Sequence, residues 1–340
     1  MVNIRKTGIL TPGDMHVNAP LTRVSVAYKQ AHTMFLAGKV FPNLPVKKQS
    51  DKIFKFDKND WLRNQAKKRA PGTESAGGGF ALNSDDTYYC DVHAFHQDVP
   101  RETLANSDIN DLDIQVAEFV TEMLLIDREI DFVTNYFTTN LWADQGTPND
   151  ATGSTSSSTW PYFIQFDDGA DSDPLKTMRT GKQKVHVSTG FKPNTLVVGQ
   201  EVHDILALHP DMKEVIKYTQ TGIADLRGNA LMASLLGVER YFVGESVYAS
   251  NVEGETASYA FNFGRNMLLC YVPPRPGLLI PASGYIFEWT GLNGLNYSVS
   301  MDKWYERKNN AWRIEGEMAY DAKLVGSDLG VFFSEAVAST

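Results

Sequence analysis

At 340 residues, 42% hydrophobic and 21% charged, the chain is long enough to bury a full core and to divide into two or three lobes. A net charge of −9 argues against a grip on nucleic-acid phosphates and so against specific DNA binding. Cys90 and Cys270 lack a CxxC context and read as reduced, buried thiols of a protein made in a cytosol; MVNIRKTGIL has no signal-peptide core, and no apolar run reaches membrane length.

Residues 1–40 mix polar turns with short apolar clusters, too few for a core of their own, and read as an arm with a helix from about Val26 to Leu36 that stops at Gly38. Strand-like alternation around Ile53, Phe54 and Phe56 follows a Pro-bounded turn, and TYYCDVHAFHQDV returns as a second strand. Between them lies RNQAKKRAPGTESAGGGFALNSDD, polar and Gly-rich. The result is an extended hairpin, which is not stable alone and needs a surface to lie on. A compact monomer with this hairpin folded onto its own body would contradict that expectation.

The longest periodic stretch is 108–141. Leu112, Val116, Phe119, Met123, Ile126, Ile130, Val133, Phe137 and Leu141 recur at spacings of three and four, which predicts one helix with a single apolar stripe. Ser107 and Asp108 suit its cap, and Gly146-Thr147-Pro148 ends the pattern. Eight acids between Asp108 and Asp131, against Arg128 alone, exclude a membrane span and disfavour a coiled coil of like copies. The stripe is expected to lie on a sheet with the acids outward.

Residues 46–69 carry nine Lys/Arg against three Asp. The expectation is that this basic hairpin (Lys47, Lys48, Arg63, Lys67, Lys68, Arg69) lies over the acidic helix face of a neighbouring subunit (Asp113, Glu118, Glu122, Asp127, Glu129).

Beyond a Ser/Thr/Asp-rich connection at 143–173, Asp173-Pro174 opens a helix running to about Val187, weakened at Gly181. TLVVGQ reads as a buried strand, EVHDILALHPDMKEVIKYT as two helices split at Pro210, and NALMASLLGV as a third. ERYFVGESVY and SYAFNFGRNMLLCYV read as strands, closing a mixed lobe at 192–290 whose loops at 218–229 and 273–284 project. Two long antiparallel strands follow: Tyr297, Val299 and Met301 share one face, and Trp312, Ile314, Met318 and Tyr320 another, opposite Arg313, Glu315 and Glu317. They are the expected seat of the long helix, so the mixed lobe is inserted in a discontinuous one.

No catalytic, cofactor or metal site is expected. His93 and His96 point to opposite faces of a strand, and His203 and His209 lack partners at ligand spacing. GESVY has only half of a nucleophile elbow, and Gly77-Gly78-Gly79 lacks the Lys-Ser/Thr of a phosphate cradle. Asp167, Asp168, Asp171 and Asp173 lack the Gly and distal Glu of a calcium loop.

VFPNLPVKKQSDKIFKFDKNDWLRNQAKKRAPGTES resembles the entry into the extended loop of tailed-bacteriophage major capsid proteins with the Hong Kong 97 fold. HPDMKEVIKYTQTGIADLRGNALMASLLGVERYFVGES is similar to their central lobe, and the resemblance spans about residues 14–335. It implies an α+β chain with an N-terminal arm (1–40), an extended β-hairpin loop (41–92), a peripheral domain (93–191 and 291–340) carrying the spine helix 108–141, and an inserted axial domain (192–290). It also implies hexamers and pentamers closing an icosahedral shell around double-stranded DNA, assembly in the host cytoplasm, and portal, scaffolding and cement or decoration proteins as partners. Because the pattern begins by about Asp14, a fused scaffold is not expected. No local pattern matches the family's Lys–Asn cross-link. Two other readings stand beside this one: an encapsulin-like cellular compartment shell, and a hydrolase using the Asp-rich loop and the histidines, for which His93 and Asp168 are the test positions.

Overall fold

The computed structural model describes residues 30–56, 58–106, 112–219, 228–252, 254–277, 280–291 and 299–339. In chain order the first helix is α1 (Ala37–Val40). The hairpin runs out through β1 (Asn43–Val46), β2 (Ser50–Lys52) and β3 (Lys55–Phe56) to α2 (Lys58–Leu62), and returns through β4 (Leu82–Asn83), β5 (Thr87–Tyr89) and β6 (Asp91–Pro100). Then come α3 (Arg101–Asn106), α4 (Leu112–Tyr136), β7 (Ala143–Asp144), β8 (Thr147–Pro148), β9 (Ala151–Ser154) and β10 (Tyr162–Ile164). The next stretch holds α5 (Pro174–Thr189), β11 (Thr195–Gly199), α6 (Gln200–Leu208), α7 (Pro210–Thr219), α8 (Asn229–Leu236), β12 (Arg240–Gly244), β13 (Val247–Ala249), β14 (Tyr259–Phe261) and β15 (Met267–Cys270). The chain closes with β16 (Gly284–Trp289), β17 (Ser300–Glu306), β18 (Ala311–Leu324) and β19 (Gly330–Ser334).

Two sheets organise these elements. In the first, the 14-residue β18 is flanked by β6 on one side and by β17 and β16 on the other, all antiparallel, with β1 added in parallel to β16. Ile314, Gly316, Met318 and Tyr320 alternate toward the core, so the period-two pattern of the C-terminal strands is realised. The second sheet runs β10-β9-β19-β15-β11-β12. β11 is buried throughout, as its continuous apolar run requires at a central position.

The sheets divide the chain differently from the sequence boundaries. β9, β10 and β19, expected with the long helix, pair into the second sheet, while β16, expected in the inserted lobe, pairs into the first. These strands are three to six residues long, and their membership is decided by non-local edges: Met267 opposite Phe333, and Glu288 opposite Tyr320.

Local chemistry explains the helices that were legible. Asp173 accepts the Lys176 N–H at 2.8 Å at the start of α5, and Gly190 ends it at φ +81°. Gly181 lets α5 approach Phe333, whose ring would lie 2.8 Å from an added Cβ. Pro210 splits α6 from α7. The single helix expected from Val26 to Leu36 is replaced by a 3-10 turn at His32–Met34 and by α1, with extended backbone at Ala31 and Phe35; its start at 26–29 lies outside the described residues. Also outside them are Ser107, Asp108, residues 220–227 and 278–279 of the projecting loops, and Tyr297.

Candidate assembly surface

α4 does not bury the stripe that its sequence suggests. Its N-terminal half buries Leu112, Val116, Val120 and Leu124, every fourth residue, while Phe119 and Ile130 stay exposed. The reason is the partner: a wide sheet receives an i, i+4 row, whereas a three-four heptad stripe suits a partner helix. Gly316 of β18 makes the approach possible, since a Cβ there would lie 2.8 Å from both Val120 and Leu124.

Toward its C-terminus the sheet-facing side of α4 becomes polar. Asp127 pairs with His93 Nδ1 at 2.8 Å, and the His93 ring stacks on Tyr320. Arg128 reaches Glu288 at 3.2 Å, with its guanidinium 4.9 Å from the Tyr320 ring centroid. The Tyr320 hydroxyl donates to Asp131, and burial followed by the Asp131 charge pushes its pKa up. On the opposite side Phe132 and Tyr136 pack against Phe41 at 5.6 and 5.1 Å. This half of the helix is a layer between two others.

Glu129 sits on that second side and is fully buried. Its carboxylate accepts the N–H of Leu36 at 2.9 Å, the N–H of Ala37 at 2.8 Å and the hydroxyl of Ser246 at 3.2 Å. Burial raises its pKa against these donors. The assignment of Glu129 to an outward acidic face is therefore corrected. An acid in a helix is read as solvated by default, but here it caps α1 from outside its own segment.

The other acids are placed as follows. Asp113 pairs with Lys303 at 2.5 Å, Glu122 accepts the Gln30 N–H at 2.9 Å, and Asp127 holds His93; Glu118 is exposed. The partners of Asp113, Glu122 and Asp127 come from the same chain, and none is one of the basic residues at 46–69.

Two short ladders, β2 with β5 and β3 with β4, join the arms of the hairpin, with the Ile53 N–H and the Lys55 ammonium both reaching Asp86 beside them. Phe54, Trp61, Leu62, Phe80 and Leu82 are each more than half exposed, and Trp61 meets Phe80 at 5.7 Å. Lys47, Arg63, Lys67, Lys68 and Arg69 are exposed, and Lys48 pairs with Asp51 at 3.0 Å. One attachment was not legible in the sequence: Lys58 reaches Asp328 at 2.9 Å and also Asp144, tying the foot of the hairpin tip to its own body. Burial lowers the Lys58 pKa, but the hydrogen bonds it donates to the two aspartates, with their charges, outweigh that and leave it raised. The tip is thus held to its own body at Lys58 and Asn59, while Trp61 and Phe80 stay more than half exposed.

Residues considered for chemistry hold the fold together. His203 pairs with the Tyr241 hydroxyl and His209 with Ser172, each at 2.8 Å; His96 is exposed. Burial lowers the His209 pKa. Asp168 accepts the N–H groups of Ala170 and Asp171, Asp167 that of Ala338, and Ser246 of GESVY serves Glu129. Among the described residues no three His, Cys, Asp or Glu converge as metal ligands.

No family model matches the chain. It is 26% identical over 326 residues to the major capsid protein of Pseudomonas phage JBD67, covering 95% of this chain and 98% of that one. It is also 27% identical over 268 residues to the major capsid protein of Burkholderia phage BcepMu, covering 77% and 78%. Along most of its length, then, the chain is similar to phage major capsid proteins. Its fold matches theirs too: the mature capsid of bacteriophage PhiM1 superposes with a TM-score of 0.57 at 11% identity, covering 95% of this chain and 98% of that one. A phage-related protein of Bordetella bronchiseptica RB50 gives 0.66 at 22% identity, covering 90% and 93%. The capsid relatives are structural shell proteins, not enzymes, and the hydrolase reading falls with them. Its two residues, His93 and Asp168, are engaged with Asp127 and with loop N–H groups.

Proposed function

We propose that the chain tiles an icosahedral shell as hexamers and pentamers around double-stranded DNA, which its negative charge lets it enclose without sequence-specific binding. In this reading 1–40 is the arm, 41–92 the extended loop, α4 the spine helix with the first sheet as the peripheral domain, and the lobe around β11 and β12 the axial domain. Assembly takes place in the host cytoplasm with portal, scaffolding and cement or decoration proteins, and ends in the virion.

The observation that carries this reading is the uncovered hairpin. Five large apolar side chains on a segment with two short ladders favour burial against another copy. The exposed Lys47, Arg63, Lys67, Lys68 and Arg69 steer that contact toward a neighbour's acidic side, where Glu118 and Asp127 stand at the surface. Both curated relatives are phage proteins, which favours a viral shell over a cellular compartment.

Electron microscopy of the purified chain tests the proposal. Closed shells, or rings of five and six, are expected. A monodisperse monomer at high concentration, with residues 60–82 protected from exchange, overturns it.

A further inference from the structure

His209 stands at the corner between α6 and α7 and is 2% exposed, with both ring nitrogens engaged. Its Nδ1 accepts the Asp211 N–H at 3.2 Å, so that nitrogen carries no proton. The ring proton therefore sits on Nε2 and is donated to Ser172 Oγ at 2.8 Å. Ser172 in turn donates its hydroxyl to the Asp168 carbonyl. The hydrogen bonds run one way, from imidazole to hydroxyl to carbonyl. A nucleophilic serine needs the imidazole as its acceptor, so this cluster is a joint and not a catalytic site.

Three parts of the fold meet there. Gly169 backs onto Pro210, whose Cδ would lie 3.2 Å from an added Cβ. Asp173 caps α5 through the Lys176 N–H at 2.8 Å, and Asp167 holds the Ala338 N–H at 3.0 Å. The loop 167–173 thus links the α6–α7 corner, the start of α5 and the C-terminal residues. The charges acting on the ring are Asp211, whose Oδ2 is 3.9 Å from Nδ1, and Asp173. Lys176, Arg179 and Glu214 line an open groove beside those two acids. The Asp168 carboxylate is turned to the N–H groups of Ala170 and Asp171.

A second proton on this ring does not fit the corner as it stands. Protonated Nδ1 is a donor pointed at the Asp211 N–H, and that hydrogen bond is lost. The Asp211 carboxylate is the acceptor within reach, but engaging it at 3.9 Å requires the first turn of α7 to shift. The charge also sits where little water reaches, and burial holds the His209 pKa below its ordinary value of 6.5 against the pull of both aspartates. The folded protein thus binds this proton less tightly than the unfolded chain, so stability is lost as pH falls below 6.5. We propose that His209 is a proton-operated catch: in mild acid its Nδ1 takes a proton from solvent, exchanges the Asp211 N–H for the Asp211 carboxylate, and frees the loop 167–173 together with the first turn of α7. The catch works within one chain, independent of whether the shell forms.

Deuterium uptake of the unassembled full chain, corrected for the intrinsic pH dependence of exchange, tests it. Between about pH 7.5 and about pH 5, protection at 167–173 and 209–215 is expected to fall several-fold while 195–199 and 240–244 hold. His209→Gln keeps a donor for Ser172 but cannot take the charge, so its protection there should be equal at both ends of the range. Asp211→Asn keeps the backbone N–H and removes the carboxylate that receives the new proton. It is expected to move the midpoint of loosening to lower pH, and as a partly exposed position it tolerates the change. Unchanged protection of the wild-type loop in acid overturns the proposal, as does an equal acid loss in His209→Gln. A midpoint that rises or stays in place in Asp211→Asn overturns it as well.

Discussion

The Glu129 carboxylate, in the C-terminal half of a 25-residue helix, holds the Ala37 N–H at 2.8 Å and so fixes where the arm turns into α1. Replacing it by Gln keeps the shape but turns a donor toward a donor. Leaving a buried partner unsatisfied costs about 1–3 kcal/mol. Glu129→Gln is expected to lower the urea midpoint accordingly, with uptake rising first at 30–40.

The same site gives a pH dependence of definite sign. Burial holds the Glu129 carboxyl above its ordinary value of 4.5, so the folded protein binds this proton more tightly than the unfolded chain. Its stabilising contribution is full below that ordinary value and is lost as pH rises through the folded one. The gap in stability between wild type and Glu129→Gln should therefore be widest in acid and narrow toward neutrality. Urea titrations from about pH 4 to about pH 8 read it directly; a gap that widens with pH contradicts the assignment.

Gly316→Ala forces a methyl to within 2.8 Å of Val120 and Leu124. Overpacking of this kind costs about 1–3 kcal/mol. The loss should appear as faster exchange in the N-terminal half of α4, with β11 and β12 unaffected.

Lys58→Ala removes the tether of the hairpin tip to Asp144 and Asp328. As the group is a quarter exposed, stability should fall by no more than ~1 kcal/mol. Trypsin cleavage after Lys67, Lys68 and Arg69 in the unassembled chain should rise several-fold. Charge reversal at those three residues, which stand in solvent, is expected to leave the unfolding midpoint within ~0.5 kcal/mol of wild type while abolishing particles seen by light scattering.

Cys90 and Cys270 are free and buried, and burial pushes each thiol up to about 12. With thiolate so scarce, the native protein should resist alkylation near neutral pH, and denaturation should release two reactive thiols.

Locally encoded features were readable in advance. Asp173 and Pro174 open α5, Pro210 divides α6 from α7, and the alternation of Ile314, Met318 and Tyr320 marks the buried face of β18. What failed depends on partners distant in sequence. The seating of α4 on Gly316 selects a row that the apolar pattern alone does not single out. Glu129 became internal because Leu36, Ala37 and Ser246 bring donors to it from 93, 92 and 117 residues away. Lys58 was one of nine Lys/Arg in its segment until Asp328, 270 residues on, came beside it. Of the candidate surface, the sequence showed the charge but not which acids were already spoken for.

The position of β19 constrains how this protein is made. It lies between β15 and β9, so that without it the second sheet is two unconnected fragments, β10-β9 and β15-β11-β12. A nascent chain emerging from the ribosome can complete its helices early but cannot join those fragments until Ser334 has cleared the exit tunnel. Pairing at such sequence separation is slow. Premature termination within the last dozen residues should thus be far more damaging than loss of the same number near the start, and it would leave two raw edges ready to aggregate.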